Sequence, residues 1–130
     1  MFSIERCAAI AAVLLASACA MSDASSGPQT LTRTTEIGTV LTDGHGMTLY
    51  TLSSDEGGKS TCYSRCATQW PPYLAPTGAR PAGKWSVTKR DDGAEQWAYA
   101  GKPLYLWEKD KQPGETSGHK VGDVWWAARP

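Results

Sequence analysis

A chain of 130 residues with thirteen acidic and thirteen basic side chains has no formal net charge and no basic run longer than Lys89-Arg90. That balance argues against a nucleic-acid or anionic-membrane surface. Six Trp and five Tyr against a single Phe, Phe2, promise aromatic packing with polar handles.

In chain order, MFSIERCAAIAAVLLASACA places one basic residue, Arg6, ahead of an apolar run from Cys7 to Ala16 that stops at small residues. This is the layout of a secretory signal peptide over residues 1–18, and the run is too short for a permanent membrane span. Ala16-Ser17-Ala18-Cys19 resembles a bacterial lipoprotein box, in which Cys19 would be lipidated and the membrane would be its partner; Ala16 stands where that box prefers Leu. Ala16-x-Ala18 and Ala18-x-Ala20 also suit ordinary signal peptidase, so a soluble secreted product is the alternative. Residues 19–35 are rich in Ser, Thr and Asp and read as a flexible tether to the envelope, because they carry too little apolar surface to order themselves. The folded domain is expected over residues 36–130, one unit with a modest core.

Within it, Thr39 to Thr42, the turn Asp43-Gly44-His45-Gly46 and Met47 to Leu52 read as a hairpin. Ser60 to Gln69 reads as one short helix capped by Ser60, since the first proline comes only at Pro71. Lys84 to Arg90, Glu95 to Tyr99 and Pro103 to Trp107, separated by Asp91-Asp92-Gly93 and Ala100-Gly101, read as a three-stranded meander. Val124 to Ala128 is the last strand. The predicted fold is mainly β, a small antiparallel domain of two pseudo-repeated hairpin halves with one short helix.

The halves show in a doubled phrase. GMTLYTLSSD at residues 46–55 returns as GKPLYLWEKD at residues 101–110, an offset of 55 with Gly46/Gly101, Leu49/Leu104, Tyr50/Tyr105 and Asp55/Asp110 in step. Strand alternation puts Tyr50 with Leu52, and Tyr105 with Trp107, on one face, with Leu49 and Leu104 on the other. Each Asp falls at a strand end, where it suits an Asx turn; a shared hard cation is the functional alternative. Glu56 and Glu108 beside them offer a paired-carboxylate reading, although carboxylates among Lys and Gly are usually solvated.

Of four cysteines, Cys7 leaves with the leader and Cys19 is the lipidation candidate, so Cys62 and Cys66 remain and are expected to form a disulfide in an oxidising compartment. Ala67 stands where c-type haem attachment needs His, and the pair lacks the Cys-x-x-Cys spacing of redox centres. His45, Met47 and His119 form a soft ligand set that would suit copper. No nucleophile elbow accompanies the two histidines, and Gly58-Lys59-Ser60 lacks the earlier Gly of a phosphate loop, Ser53 occupying its place.

These motifs together, with CYSRCATQWPP, Gln96-Trp97-Ala98-Tyr99 and a final Trp-x-x-x-x-Pro, resemble the bacterial secreted-repeat family, predicted lipoproteins with a Tyr-x-[Phe/Trp/Tyr]-x-x-Asp motif. The resemblance covers Leu41 to Pro130 and departs at Leu52, where the first copy lacks the aromatic that Trp107 supplies in the second. It implies an exported β-rich repeat module and no activity, cofactor or ligand. The expected role is therefore a non-enzymatic binding or structural module. A copper or haem carrier and a carbohydrate-binding module with Trp107 as platform are the alternatives.

Overall fold

The computed structural model describes residues 27–130; the expected signal peptide, Cys19 and the expected tether up to Ser26 lie outside the described residues. Among the described residues seven short strands are arranged in three small antiparallel groups. Strand β1 (Leu31–Thr35) pairs with β2 (Gly38–Thr42) across the two-residue turn Glu36-Ile37. Thr35 ties that turn, its Oγ1 donating to the Gly38 carbonyl at 2.8 Å and accepting from Ile37 N at 3.2 Å. The expected tether thus ends earlier, at or before Thr30. A threonine-rich segment has the composition of a linker, but its β-branched residues suit an outer strand laid on β2, whose Val40 and Leu41 are fully buried.

At the next turn Asp43 Oδ1 accepts from both His45 N and Met47 N at 2.9 Å, and Gly46 takes a φ of +82°. Hairpin pairing continues only through the Thr42–Thr48 bridge, flanked by the bonds from Asp43 N to the Met47 carbonyl and from Leu49 N to the Leu41 carbonyl. Strand β3 (Tyr50–Leu52) then leaves β2 and pairs with β7 (Trp125–Ala127), from the far end of the chain. The predicted first hairpin is therefore short, and the partner of its second strand is a correction to the sequence reading. The meander is present as β4 (Trp85–Lys89), β5 (Glu95–Tyr99) and β6 (Lys102–Pro103). Its third strand is brief because Tyr105 turns to bridge Tyr50 and Pro72.

The one α-helix among the described residues, α1 (Arg65–Gln69), begins later than Ser60, at Ser64 with no side-chain cap. Cys62 lies before it, joined to Cys66 with an S–S distance of 2.03 Å and a Cα–Cα distance of 5.3 Å, as the sequence predicts.

A two-fold relation runs through these contacts. Tyr50 and Tyr105 exchange both backbone hydrogen bonds, 2.8 and 2.9 Å. Ala127 faces Tyr50, and Pro72, which is 55 residues earlier, faces Tyr105. Ala128 N donates to the Leu49 carbonyl at 2.8 Å, and Tyr73 N to the Leu104 carbonyl at 2.9 Å. Each half thus sends its last extended segment across to the other half's tyrosine strand. In the first half that segment is Pro71-Pro72, which has no N–H to donate, and the pairing shrinks to one bridge.

Neighbouring residues alternate between two cores, as the strand period requires. Tyr50, Tyr105, Val40, Ala127, Trp70, Trp125 and Cys62 form one. Leu49, Leu104, Leu41, Ala128, Trp85 and Trp97 form the other. In the first core Trp70 lies between Trp125 (centroids 3.8 Å, planes 4° apart) and Trp107 (3.9 Å, 26°). Tyr50 meets Trp70 edge-on at 5.4 Å and Tyr105 meets Trp125 edge-on at 5.1 Å, again a pair of contacts related by the repeat.

Gly118 closes over this stack. A Cβ there would lie 2.9 Å from ring atoms of Trp70 and Tyr50. Gly118→Ala should overpack the core and lower stability by about 1–3 kcal/mol. Gly44→Ala, whose Cβ meets nothing within 4 Å, should stay within about 0.5 kcal/mol. Urea denaturation of the two variants checks the contrast.

Candidate functional site

The doubled motif converges on the two-fold axis. Asp55 and Asp110 are both buried, each 7% exposed, so a carboxylate placed there needs donors for its lone pairs. They come in matching sets. Tyr105 Oη donates to Asp55 Oδ2, while Asp55 Oδ1 accepts from Thr61 N at 2.8 Å and Thr61 Oγ1 at 2.7 Å. Tyr50 Oη donates to Asp110 Oδ2 at 2.5 Å, while Asp110 Oδ1 accepts from Ser117 N at 3.0 Å and Ser117 Oγ at 2.6 Å. Each tyrosine serves the aspartate of the other copy.

Beyond the tyrosines the copies differ. Tyr50 Oη accepts from Gly118 N at 3.2 Å. Tyr105 has spent its proton on Asp55, so Ser60 Oγ–H donates to Tyr105 Oη across 2.6 Å. Ser60 Oγ in turn accepts from Cys62 N at 3.2 Å and Arg90 Nη1 at 3.0 Å. Arg90, 3% exposed, also donates from Nη1 to Gln96 Oε1 at 2.8 Å, from Nη2 to the Cys62 carbonyl at 2.6 Å and from Nε to Asp92 Oδ2 at 3.2 Å. Its guanidinium lies 4.5 Å from the Tyr63 ring centroid. Gln96, fully buried, passes the chain to the Leu104 carbonyl at 2.7 Å. No buried side-chain polar atom among the described residues lacks a partner.

Burial holds the hydroxyls of Tyr50 and Tyr105 far above the ordinary tyrosine range, and the neighbouring carboxylates push the same way. Both stay protonated donors. The arrangement commits both tyrosine hydroxyls and both aspartates to one another and to their immediate neighbours.

Several sequence expectations change here. Asp55 and Asp110 do not form Asx turns, since their Oδ1 atoms accept from residues six and seven positions on; Asp43 and Asp92 are the Asx residues, Asp92 Oδ1 accepting from Ala94 N at 3.1 Å. Nor are the motif carboxylates solvated, although Glu56 and Glu108 are exposed. Ser60 is a buried network member, not a helix cap. Gly46 and Gly101 both end turns with a φ of +82°. Trp125 is buried, and Trp107 is half-buried against Trp70.

His45 is exposed on the β2–β3 turn beside half-buried Met47. His119 is half-buried, its Nδ1 accepting from Ala127 N at 3.0 Å. Burial lowers its basicity, with Arg129 and Lys120 adding to that. Among the described residues no three His, Cys, Asp or Glu side chains gather as a metal site. Arg90, Gln96, Thr61 and Ser117 were missed by sequence reasoning. Gln96 between strand neighbours of an aromatic run was the available signal.

Two comparisons return nothing: no curated protein and no solved structure matches the chain. A family model described as a secreted repeat of unknown function matches residues 31–73 and 86–129, one match to each half. The first begins at β1, in line with the earlier domain boundary.

Tyr50→Phe and Tyr105→Phe should each lower stability by about 1.5–3 kcal/mol, the worth of a hydrogen bond to a charged group. The pH dependence has a definite sign. The folded tyrosines hold their protons while the unfolded ones release them above the ordinary value of 10.0. Stability from this source is complete below that pH and falls above it by about 1.4 kcal/mol per pH unit per tyrosine. Urea midpoints followed into alkali should drop less steeply for either Phe variant than for the unsubstituted chain; equal slopes would contradict the assignment.

Proposed function

The chain belongs to this family of secreted repeats, and from that premise we propose that it is an exported envelope module, anchored through lipidated Cys19, that binds or scaffolds rather than catalyses. The observation that carries the reading is that the buried hydroxyls and carboxylates of the doubled motif are committed to one another. A catalytic pair needs a group free to meet a substrate. The signature that most suggests chemistry in this sequence is instead what joins the two halves, which leaves recognition to the surface they present together. The secreted character of the family supports a location outside the cytoplasm, and the Cys19 box followed by a polar segment supports a tether.

Cys19→Ser should move the exported protein from the membrane pellet to the soluble fraction and abolish incorporation of a fatty-acid label. A natural-sequence protein that is already soluble and unlabelled would replace the anchor with ordinary signal cleavage. Native mass spectrometry of the exported protein should show a small-molecule or protein adduct that survives purification and is released unchanged on unfolding. Release of a chemically altered product would overturn the non-catalytic reading.

A further inference from the structure

The two halves differ at one concave place. Where β3, the β5–β6 turn and the end of β7 meet, a cleft of about 270 Å³ has Leu104, Ala127 and Ala128 as its floor and Thr51 and Tyr99 as walls. Lys102 and Arg129 stand at its rim, and no acidic side chain lines it. Positions 55 residues earlier than Ala127, Ala128 and Arg129 are Pro72, Tyr73 and Leu74. Tyr73 packs against the second core and Leu74 is an exposed apolar side chain. On the face of the second core, the second half thus has the methyl group of Ala128 where its counterpart has the aromatic ring of Tyr73, and the cation Arg129 follows where the counterpart has Leu74.

The cations of this cleft have no carboxylate within it, although Lys102 also lines the adjoining cleft that carries Asp55 and Glu56. Among the described residues neither Lys102 nor Arg129 has a carboxylate within 4.0 Å; the ion pairs found are Lys59–Asp91 and Arg90–Asp92. Arg129 Nη1 donates to the Ile37 and Thr39 carbonyls at 2.8 and 3.2 Å, which fixes the guanidinium without neutralising it. The turn beside the cleft is also costly in itself. Ala100 takes a φ of +51°, a conformation that Asn or Gly adopts more readily. Its small side chain lines both this cleft and the adjoining one that carries Asp55 and Glu56.

We propose that this cleft binds a small organic anion with a flat apolar body, its carboxylate held by Lys102 and Arg129 and its ring laid over Ala128 beside Tyr99. The volume lies just below the roughly 300–1,000 Å³ of common ligand pockets and fits a single ring. The proposal rests on the reading of the domain as a binding module and names its ligand class.

Benzoate is the probe, with benzylamine and benzyl alcohol as cationic and neutral counterparts of the same shape. Benzoate titrated into the exported chain should shift backbone amide NMR signals at Thr51, Tyr99 to Leu104 and Ala127 to Arg129. Lys102→Gln with Arg129→Gln should weaken it by at least about ten-fold, as loss of paired charges requires. Ala128→Tyr, which copies the counterpart half, should abolish binding, and an unchanged urea midpoint would show that the fold survives. Benzylamine binding as tightly as benzoate, benzoate indifferent to the double substitution, or shifts confined to other residues would each overturn the anion site. A cationic or neutral natural adduct in native mass spectrometry would also overturn it while leaving the binding-module reading intact.

Discussion

The structure depends on an exchange: the tyrosine hydroxyl of each repeat copy is hydrogen-bonded to the aspartate of the other. A buried carboxylate is tolerable only when its lone pairs are met by donors, and breaking such a set costs several times what the finished set contributes. Thr61 and Ser117 serve the aspartate of their own half, but neither half supplies its own tyrosine donor. Half a chain would bury an aspartate without its tyrosine, and would also lack the strand that pairs with its own tyrosine segment. The stacked indoles Trp70 and Trp125 repeat the pattern, one from each copy. The duplication therefore yields one cooperative domain, not two modules in series.

Around that symmetric centre the two copies are finished differently. Tyr50 meets a backbone N–H at Gly118, where a side chain would strike the ring. Tyr105 meets Ser60, behind which stands a buried guanidinium. Arg90 is acceptable there because its donors have assigned acceptors, one of them the Cys62 carbonyl. The disulfide matters through this position as well as through chain entropy, which for so small a loop contributes about 2 kcal/mol at most. It fixes the backbone that presents the carbonyl to Arg90.

The sequence carried the repeat, the disulfide and the two-faced alternation of Leu49-Tyr50 and Leu104-Tyr105, because each follows from spacing and strand geometry alone. It also held a clue to the exchange. Tyr50 and Asp55 are five residues apart, roughly 16 Å if the strand ran on extended, a spacing that favours a partner from the other copy. The clue is useless without knowing that Asp55 is buried, and Asp-Glu-Gly-Gly looks like an exposed turn. Strand β1 was hidden because LTRTT contains one large apolar residue and draws its order from pairing with β2. Arg90 was hidden because adjacent Asp91 and Asp92 make it look like part of a solvated turn, while burial is decided by Ser60 and Gln96 arriving from elsewhere.

The division between a fixed centre and divergent edges bears on where recognition can reside. Tyr50, Tyr105, Asp55 and Asp110 are each tied to a partner in the other half, so a change at one strands a buried group at another. Trp107 differs from Leu52, but its ring is stacked on Trp70 and serves the core. The strand ends have no such reciprocity. Ala127-Ala128-Arg129 and Pro72-Tyr73-Leu74 occupy related backbone positions and make related backbone hydrogen bonds, yet their side chains differ in size and charge. Because main-chain bonds hold these segments, their side chains are free to suit a ligand. A pseudo-symmetric fold of this kind can keep one edge filled and leave the other open, and the open edge is where small alanines meet unpaired cations.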